Sequence, residues 1–211
     1  MLDFHTHKTY NDGTLFVKSL CTDETPADDL QYFTIGIHPW SVAKCDIDKA
    51  LEKIKTLCRD SHCLAIGEIG LDKLKPHFDL QLSVFELQIK LARELDKPIV
   101  IHAIRSYNEI LQLRKKYPDG AWAIHGFNGS TETARQLADK NIFLSIGALL
   151  LKPGTKIAKT FPHLPPERIF LETDTAAIHI RELYDVAKQH FHGIEQQILR
   201  NFSIFAANKR A

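Results

Sequence analysis

Six residues in this 211-residue chain are of the types that hold metal ions and move protons, and each follows an apolar, strand-like run. Leu64-Ala65-Ile66-Gly67 leads to Glu68, a carboxylate in otherwise hydrophobic surroundings. A glutamate placed there must be paired, neutralised or bound to a cation. Four other runs end on His5 and His7, on His102, on His125 and on Asp174. Alternation along a strand puts His5 and His7 on the same side, about 7 Å apart, with Thr6 opposite. Imidazole and carboxylate together suit borderline divalent ions such as zinc or manganese. The spacing therefore points to a two-metal site centred on Glu68.

The elements that would position these groups follow from periodicity. Short apolar runs at Leu2–His7, Thr14–Leu20, Tyr32–Ile37, Cys63–Gly67, Ile99–His102, Ala121–His125, Ile142–Ile146 and Arg168–Leu171 read as eight strands. Helical spacing appears at Ile47–Cys58, Leu80–Leu95, Tyr107–Tyr117 and, capped by Ser130, up to Lys140. Lys152–Lys159 also reads as helical, and the tail from Ile178 to Asn208 as two helices broken at Gly193. Lys8–Gly13 is too short for a helix, and Pro26–Leu30 allows one or two turns at most. Strands alternating with helices predict an α/β protein, a parallel (β/α)8 TIM-type barrel in a compact variant lacking the helix after strand one. In that fold the active-site groups come from the C-terminal ends of strands, where all six candidates fall. A doubly wound open sheet lacks its usual sign, a glycine-rich phosphate loop after the first strand.

Composition bounds the rest. Apolar residues make up 44% and charged residues 25%, with a formal net charge of +1, so a polyanion would have to be met by a local patch. No repeat or linker divides the chain, and a single domain over residues 1–211 is expected. Cys21, Cys45, Cys58 and Cys63 form no Cys-x-x-Cys pair and are expected to be reduced. No apolar run reaches the roughly 18 residues of a membrane span, and Met1–His5 lacks the features of a secretion signal. A cytoplasmic location without a membrane partner is the expectation.

Several stretches together resemble one family. They are Asp3-Phe4-His5-Thr6-His7, Gly36-Ile37-His38-Pro39, Gly67-Glu68-Ile69-Gly70-Leu71-Asp72, Val100-Ile101-His102 with Arg105, His125-Gly126-Phe127-Asn128-Gly129 and Leu171-Glu172-Thr173-Asp174. In this order they resemble the TatD family of DNase-like metal-dependent hydrolases, within the amidohydrolase superfamily. The resemblance implies two divalent metal ions per chain (Zn, Mn or Mg). One would be held by His5, His7, Glu68 and Asp174, the other by His102 and His125 with Glu68 shared. Asp174 and Glu68 are then the catalytic pair, Asp174 as general base. Arg105 and His38 are the candidate substrate-binding residues. His38 either binds substrate or orients its loop, and Arg105 either pairs an anionic group or forms a structural ion pair. Glu172 reads as support behind the ligands, and His62, His77, His163, His190 and His192 as surface residues.

The chain departs from the family at Lys73-Leu74, where an aromatic pair is common, at Thr175-Ala176-Ala177, and in being shorter by several loops. These positions bear on substrate and not on metal. A phosphodiester or small anionic substrate, nucleic acid among the candidates, is the leading expectation. A small amide, lactone or phosphate ester is the alternative, and a metal-binding protein without turnover is a third. An oligomer is admitted, because the missing helix would otherwise leave Leu15, Phe16 and Val17 uncovered unless the C-terminal helices reach them.

Overall fold

The computed structural model describes residues 1–208. Eight strands pair in sequence order, every pair parallel. They are β1 Leu2–Thr6, β2 Leu15–Cys21, β3 Phe33–Gly36, β4 Cys63–Asp72, β5 Ile99–Ile104, β6 Trp122–Ile124, β7 Ile142–Ile146 and β8 Ile169–Leu171. The helices are α1 Ile47–Leu57, α2 Phe78–Glu94, α3 Tyr107–Lys116, α4 Thr131–Ala138, α5 Lys156–Thr160, α6 Ile180–His190 and α7 Ile194–Ala206. This is the expected TIM-type barrel. The sheet closes on itself just past β8: Thr6 bridges Asp174, Asp174 N–H donates to His5 O at 2.9 Å, and His7 N–H donates to Asp174 O at 3.2 Å.

The outer ring is thinner than expected. Among the described residues no helix lies between β1 and β2, and none between β2 and β3, where Pro26–Leu30 forms turns only. Val17 is nevertheless buried within the chain, and Leu15 and Phe16 are half-buried against the core. Tyr10 lies 5.6 Å from Phe16, and Phe202 of α7 meets Tyr32 edge-on at 5.3 Å. Phe4 and Phe170 stack at 3.9 Å beneath Phe205 of α7. Tyr184 of α6 both donates to and accepts from the Leu2 backbone at 3.1 Å. The C-terminal helices thus cover β1 and the approach to β3, and Tyr10 of the β1–β2 loop covers Phe16.

One strand differs from its expected extent in a way that matters. β4 does not stop at Gly67 but runs to Asp72, so Glu68 lies inside the strand and Asp72 at its end. Against β5 the register slips: Ile66 faces Ile99, whereas Ile69 faces Ile101. Two β4 residues therefore oppose one on β5, a bulge that re-aims the extra side chain. Gly67, just before Glu68, and Gly70, two residues after it, must be glycine for the strands to meet. A Cβ on Gly67 would sit 2.7 Å from the Val100 Cβ, and one on Gly70 would sit 2.2 Å from the His102 carbonyl oxygen.

Two buried glutamines on α2 hold the ends of β3 and β4. Gln88 accepts from Ile37 N–H at 2.7 Å and donates to Ile37 O at 3.1 Å. Gln81 accepts from Asp72 N–H at 2.8 Å and donates to the carbonyls of Asp72 and Pro76. Ser130 caps α4 as expected, accepting from Thr133 N–H at 3.2 Å. All four cysteines are free. No helix of the described residues is long and apolar enough to cross a membrane.

Gly70→Ala combines a clash with backbone with a φ of +134°, whereas Gly13, at φ +81°, has nothing within 4 Å of an added Cβ. Gly70→Ala is expected to cost on the order of 3 kcal/mol, lowering Tm by roughly 6–12 °C. Gly13→Ala should cost only about 1 kcal/mol of backbone strain. Thermal denaturation of the two variants checks this; equal shifts would contradict the close β4–β5 approach.

Candidate metal centre

At the end of the barrel where the sheet closes, the two oxygens of Glu68 face two groups of histidines. Oε2 lies 3.4 Å from His5 Nε2 and 4.0 Å from His7 Nε2. Oε1 lies 2.6 Å from His125 Nε2, 2.8 Å from His102 Nδ1 and 3.0 Å from His38 Nε2. Asp174 completes the first group, with Oδ1 3.6 Å from His7 and 3.9 Å from His5. Ligand atoms within 4.8 Å of one another thus form the sets His5/His7/Asp174, His5/Glu68/His125 and His38/Glu68/His102. The structure brings His5, His7, Glu68, His102, His125 and Asp174 together, and His38 with them.

The site is held from behind by further carboxylates. Asp72 Oδ2 lies 3.7 Å from His102 Nε2, and Glu172 Oε1 lies 3.5 Å from His125 Nδ1 while accepting from Gly126 N–H at 2.6 Å. A carboxylate on the far nitrogen of an imidazole fixes its orientation and raises its basicity as a ligand. Asp3 ties β1 to the end of β8. It accepts from Thr173 N–H at 2.9 Å, from the Thr173 hydroxyl at 2.6 Å and from Tyr10 OH at 2.7 Å. Burial nonetheless pushes its carboxyl up to about 6.

Electrostatics decide what such a cluster can tolerate. Burial opposes ionisation of Glu68, but the charge on His125 and hydrogen bonds from His102, His125 and His38 outweigh it and hold the carboxyl well below the usual range. Burial likewise opposes a charge on His125, yet Glu68 and Glu172 raise it well above an ordinary histidine. Glu172 is held low against its own burial by His125 and by the nearby His5 and Ser145. Burial, with His5 beside it, lowers His7. Two buried carboxylates thus flank His125 and need a positive charge between them, which a proton or a divalent cation can supply. Among the described residues neither nitrogen of the fully buried His5 has a hydrogen-bond partner, although buried polar atoms are rarely left so. The donor set of imidazole and carboxylate, with orphaned nitrogens facing shared oxygens, fits divalent ions.

A cavity of about 410 Å³ opens over this cluster, lined by His7, His38, Trp40, Glu68, His102 and Asp174 among others. A smaller one of about 240 Å³ adjoins it through Asp174 and Thr175 and is walled by Phe127, Leu149 and Lys152. The Asp174 side chain is 39% exposed, the most open of the carboxylates at the site. Arg105 stands apart: it is exposed just beyond β5, at a left-handed φ of +53°, and lines neither cavity. Lys73 is paired with Glu109 at 2.6 Å. Sequence reasoning gave no role to Asp3, Asp72 or Trp40. The fourfold step from Glu68 to Asp72 keeps both on one face of a strand, a sign usable only once β4 is known to continue.

Residues 13–197 match the family described as TatD related DNase. A relative from Bacillus subtilis, the uncharacterised metal-dependent hydrolase YabD, is 36% identical over 69% of this chain and 59% of its own length. The protein named 3'-5' ssDNA/RNA exonuclease TatD from Klebsiella pneumoniae is 32% identical over 71% of this chain and 59% of its own. The chain thus spans about three-fifths of the length of these relatives. Among solved structures, YjjV, a TatD homologue from Escherichia coli K12, superposes with a TM-score of 0.85 over 100% of this chain and 98% of its own, at 21% identity. Barrel, site geometry and sequence matches agree, and the chain belongs to the TatD-related DNase family.

Proposed function

We propose that the chain is a metal-dependent phosphodiester hydrolase acting through a dinuclear site, with the ends of single-stranded nucleic acid as its substrate class. The observation that carries this reading is the division of one buried carboxylate: Glu68 presents Oε2 to His5 and His7, and Oε1 to His102 and His125. A single ion would need only one of these groups. His5, His7 and Asp174 would hold one ion, His102 and His125 the other, with Glu68 between them. When bound, the ions supply Lewis-acid polarisation of the phosphoryl group and acidify water. Asp174 would accept the proton of the attacking water; it is the more exposed of the two carboxylates that line the cavity and is tied by backbone bonds to both His5 and His7. Asp72 and Glu172, 3.7 and 3.5 Å behind the far nitrogens of His102 and His125, would orient those two rings. His38, within hydrogen-bond reach of Glu68 and lining the cavity, would steady a substrate oxygen. The choice of nucleic acid leans on the printed activity of the Klebsiella relative.

Manganese or zinc should raise Tm in a concentration-dependent way, by about 2.7 kcal/mol of added stability at 100 times Kd. Glu68→Ala should remove the whole shift and His102→Ala only part of it. A Glu68→Ala protein stabilised like the unsubstituted one would contradict a shared ligand.

Two substrates separate the general base from a charged residue outside the cavities. Asp174→Asn should lower kcat by at least about 100-fold on a phosphodiester and on a neutral ester alike. Arg105→Ala, at an exposed residue that lines neither cavity, should change kcat/KM by less than about three-fold on either substrate. A loss of about ten-fold or more confined to the phosphodiester would instead put the arginine in contact with the substrate.

A further inference from the structure

We infer that Trp40, with Lys75 beside it, is a stacking platform for an unpaired nucleobase next to the scissile phosphate. This assignment rests on the phosphodiester reading above and adds a recognition site to it. Trp40 is 53% exposed, a large apolar surface left to solvent at the wall of the cavity that contains Glu68 and His102. It is not a loose side chain. Its indole N–H donates to Asp72 Oδ2 at 2.8 Å, and its backbone N–H donates to His38 Nδ1 at 3.2 Å. The same Asp72 oxygen lies 3.7 Å from His102 Nε2, so the indole is referenced to a candidate metal ligand through one buried carboxylate. Its ring meets His38 edge-on at 4.8 Å and His102 at 5.7 Å. A rigid aromatic, held exposed at a fixed distance from the chemistry, is what base stacking requires, because stacking tolerates any base but demands a fixed face.

Lys75 supplies the second half. Its ammonium lies 4.6 Å over the Trp40 ring, while its side chain is exposed. A cation on a flexible stem can yield the ring face to a base and keep its charge for the adjoining phosphate. Lys73 is engaged by Glu109, and Leu74 is 61% exposed and carries no aromatic face. The aromatic surface on this wall therefore comes from the β3 end and not from the residues after Asp72. Bases in a duplex hide their faces, so the platform serves single strands.

The chain has two tryptophans, and Trp122 is only 2% exposed, so quenching of the exposed indole reports on Trp40. A phosphorothioate-linked oligothymidylate added to metal-loaded protein should quench that fluorescence, and a tetrahydrofuran-abasic oligonucleotide of equal length should not. The ratio of kcat/KM on the thymidylate to that on the abasic strand should fall about ten-fold in Trp40→Ala, the size of one lost stack. Trp40→Phe keeps a ring but loses the bond to Asp72, and should restore most of the ratio. No quenching, quenching by both strands alike, or equal ratios in Trp40→Ala and the unsubstituted protein would overturn the platform. Failure of Phe to restore the ratio would make the indole a prop for Asp72 and would also overturn it. Quenching without cleavage of either strand would leave the platform standing and remove the hydrolytic reading beneath it.

Discussion

A carboxylate cannot be buried at the mouth of a barrel without positive or hydrogen-bonding partners, and Glu68 sets that condition for the whole fold. Left alone, an ionised carboxylate in an apolar interior carries a desolvation penalty of several kcal/mol even after relaxation. Here five histidines surround it, from β1, the β3 end, β5 and the β6 end. The bulge on β4 turns Glu68 toward them, and glycines at 67 and 70 let β5 come close enough for His102 to reach it. Local strand geometry and site electrostatics are therefore one constraint.

Closure of the barrel serves the same cluster. The sheet joins its two ends at Thr6 and Asp174, and the bonds that make the joint also fix the backbones of His5, His7 and Asp174. Asp3 reinforces it through Thr173, and stays buried at a cost that its three donors only partly offset. On the opposite wall, Gln88 and Gln81 of α2 hold the chain ends that carry His38 and Asp72. With two helices absent from the ring, α6 and α7 supply both the cover over β1 and β8 and the aromatic layer around Phe4. The compact barrel keeps its site because the remaining helices are tied to the strands that bear it.

Much of this was legible in the residues themselves. Apolar runs ending on His5, His7, His102, His125 and Asp174 disclosed the strands, their order and the end of the barrel they share, because a buried strand and a ligand at its tip both leave marks in residue type. The length of β4 did not show. Gly67 and Gly70 look like a strand end, whereas they are the positions where two backbones touch, and that contact is long-range. For the same reason Asp72 passed for a loop residue. Trp40 gave no sign of its exposure, since an apolar residue after a strand ordinarily packs inward. Arg105 shows the converse: its place near His102 in sequence suggested the site, but a left-handed backbone turn leaves it exposed outside the cavity. Side-chain direction at turns depends on backbone angles that residue type alone leaves free.

In the proposed dinuclear site Glu68 is shared between two ions. Crystals grown with manganese and measured at its absorption edge test it most directly, because anomalous scattering counts and places the ions independently of activity. Two peaks are predicted, one enclosed by His5, His7 and Asp174 and the other by His102 and His125, with a Glu68 oxygen on each. A single peak, or two peaks of which Glu68 touches one, would contradict the account.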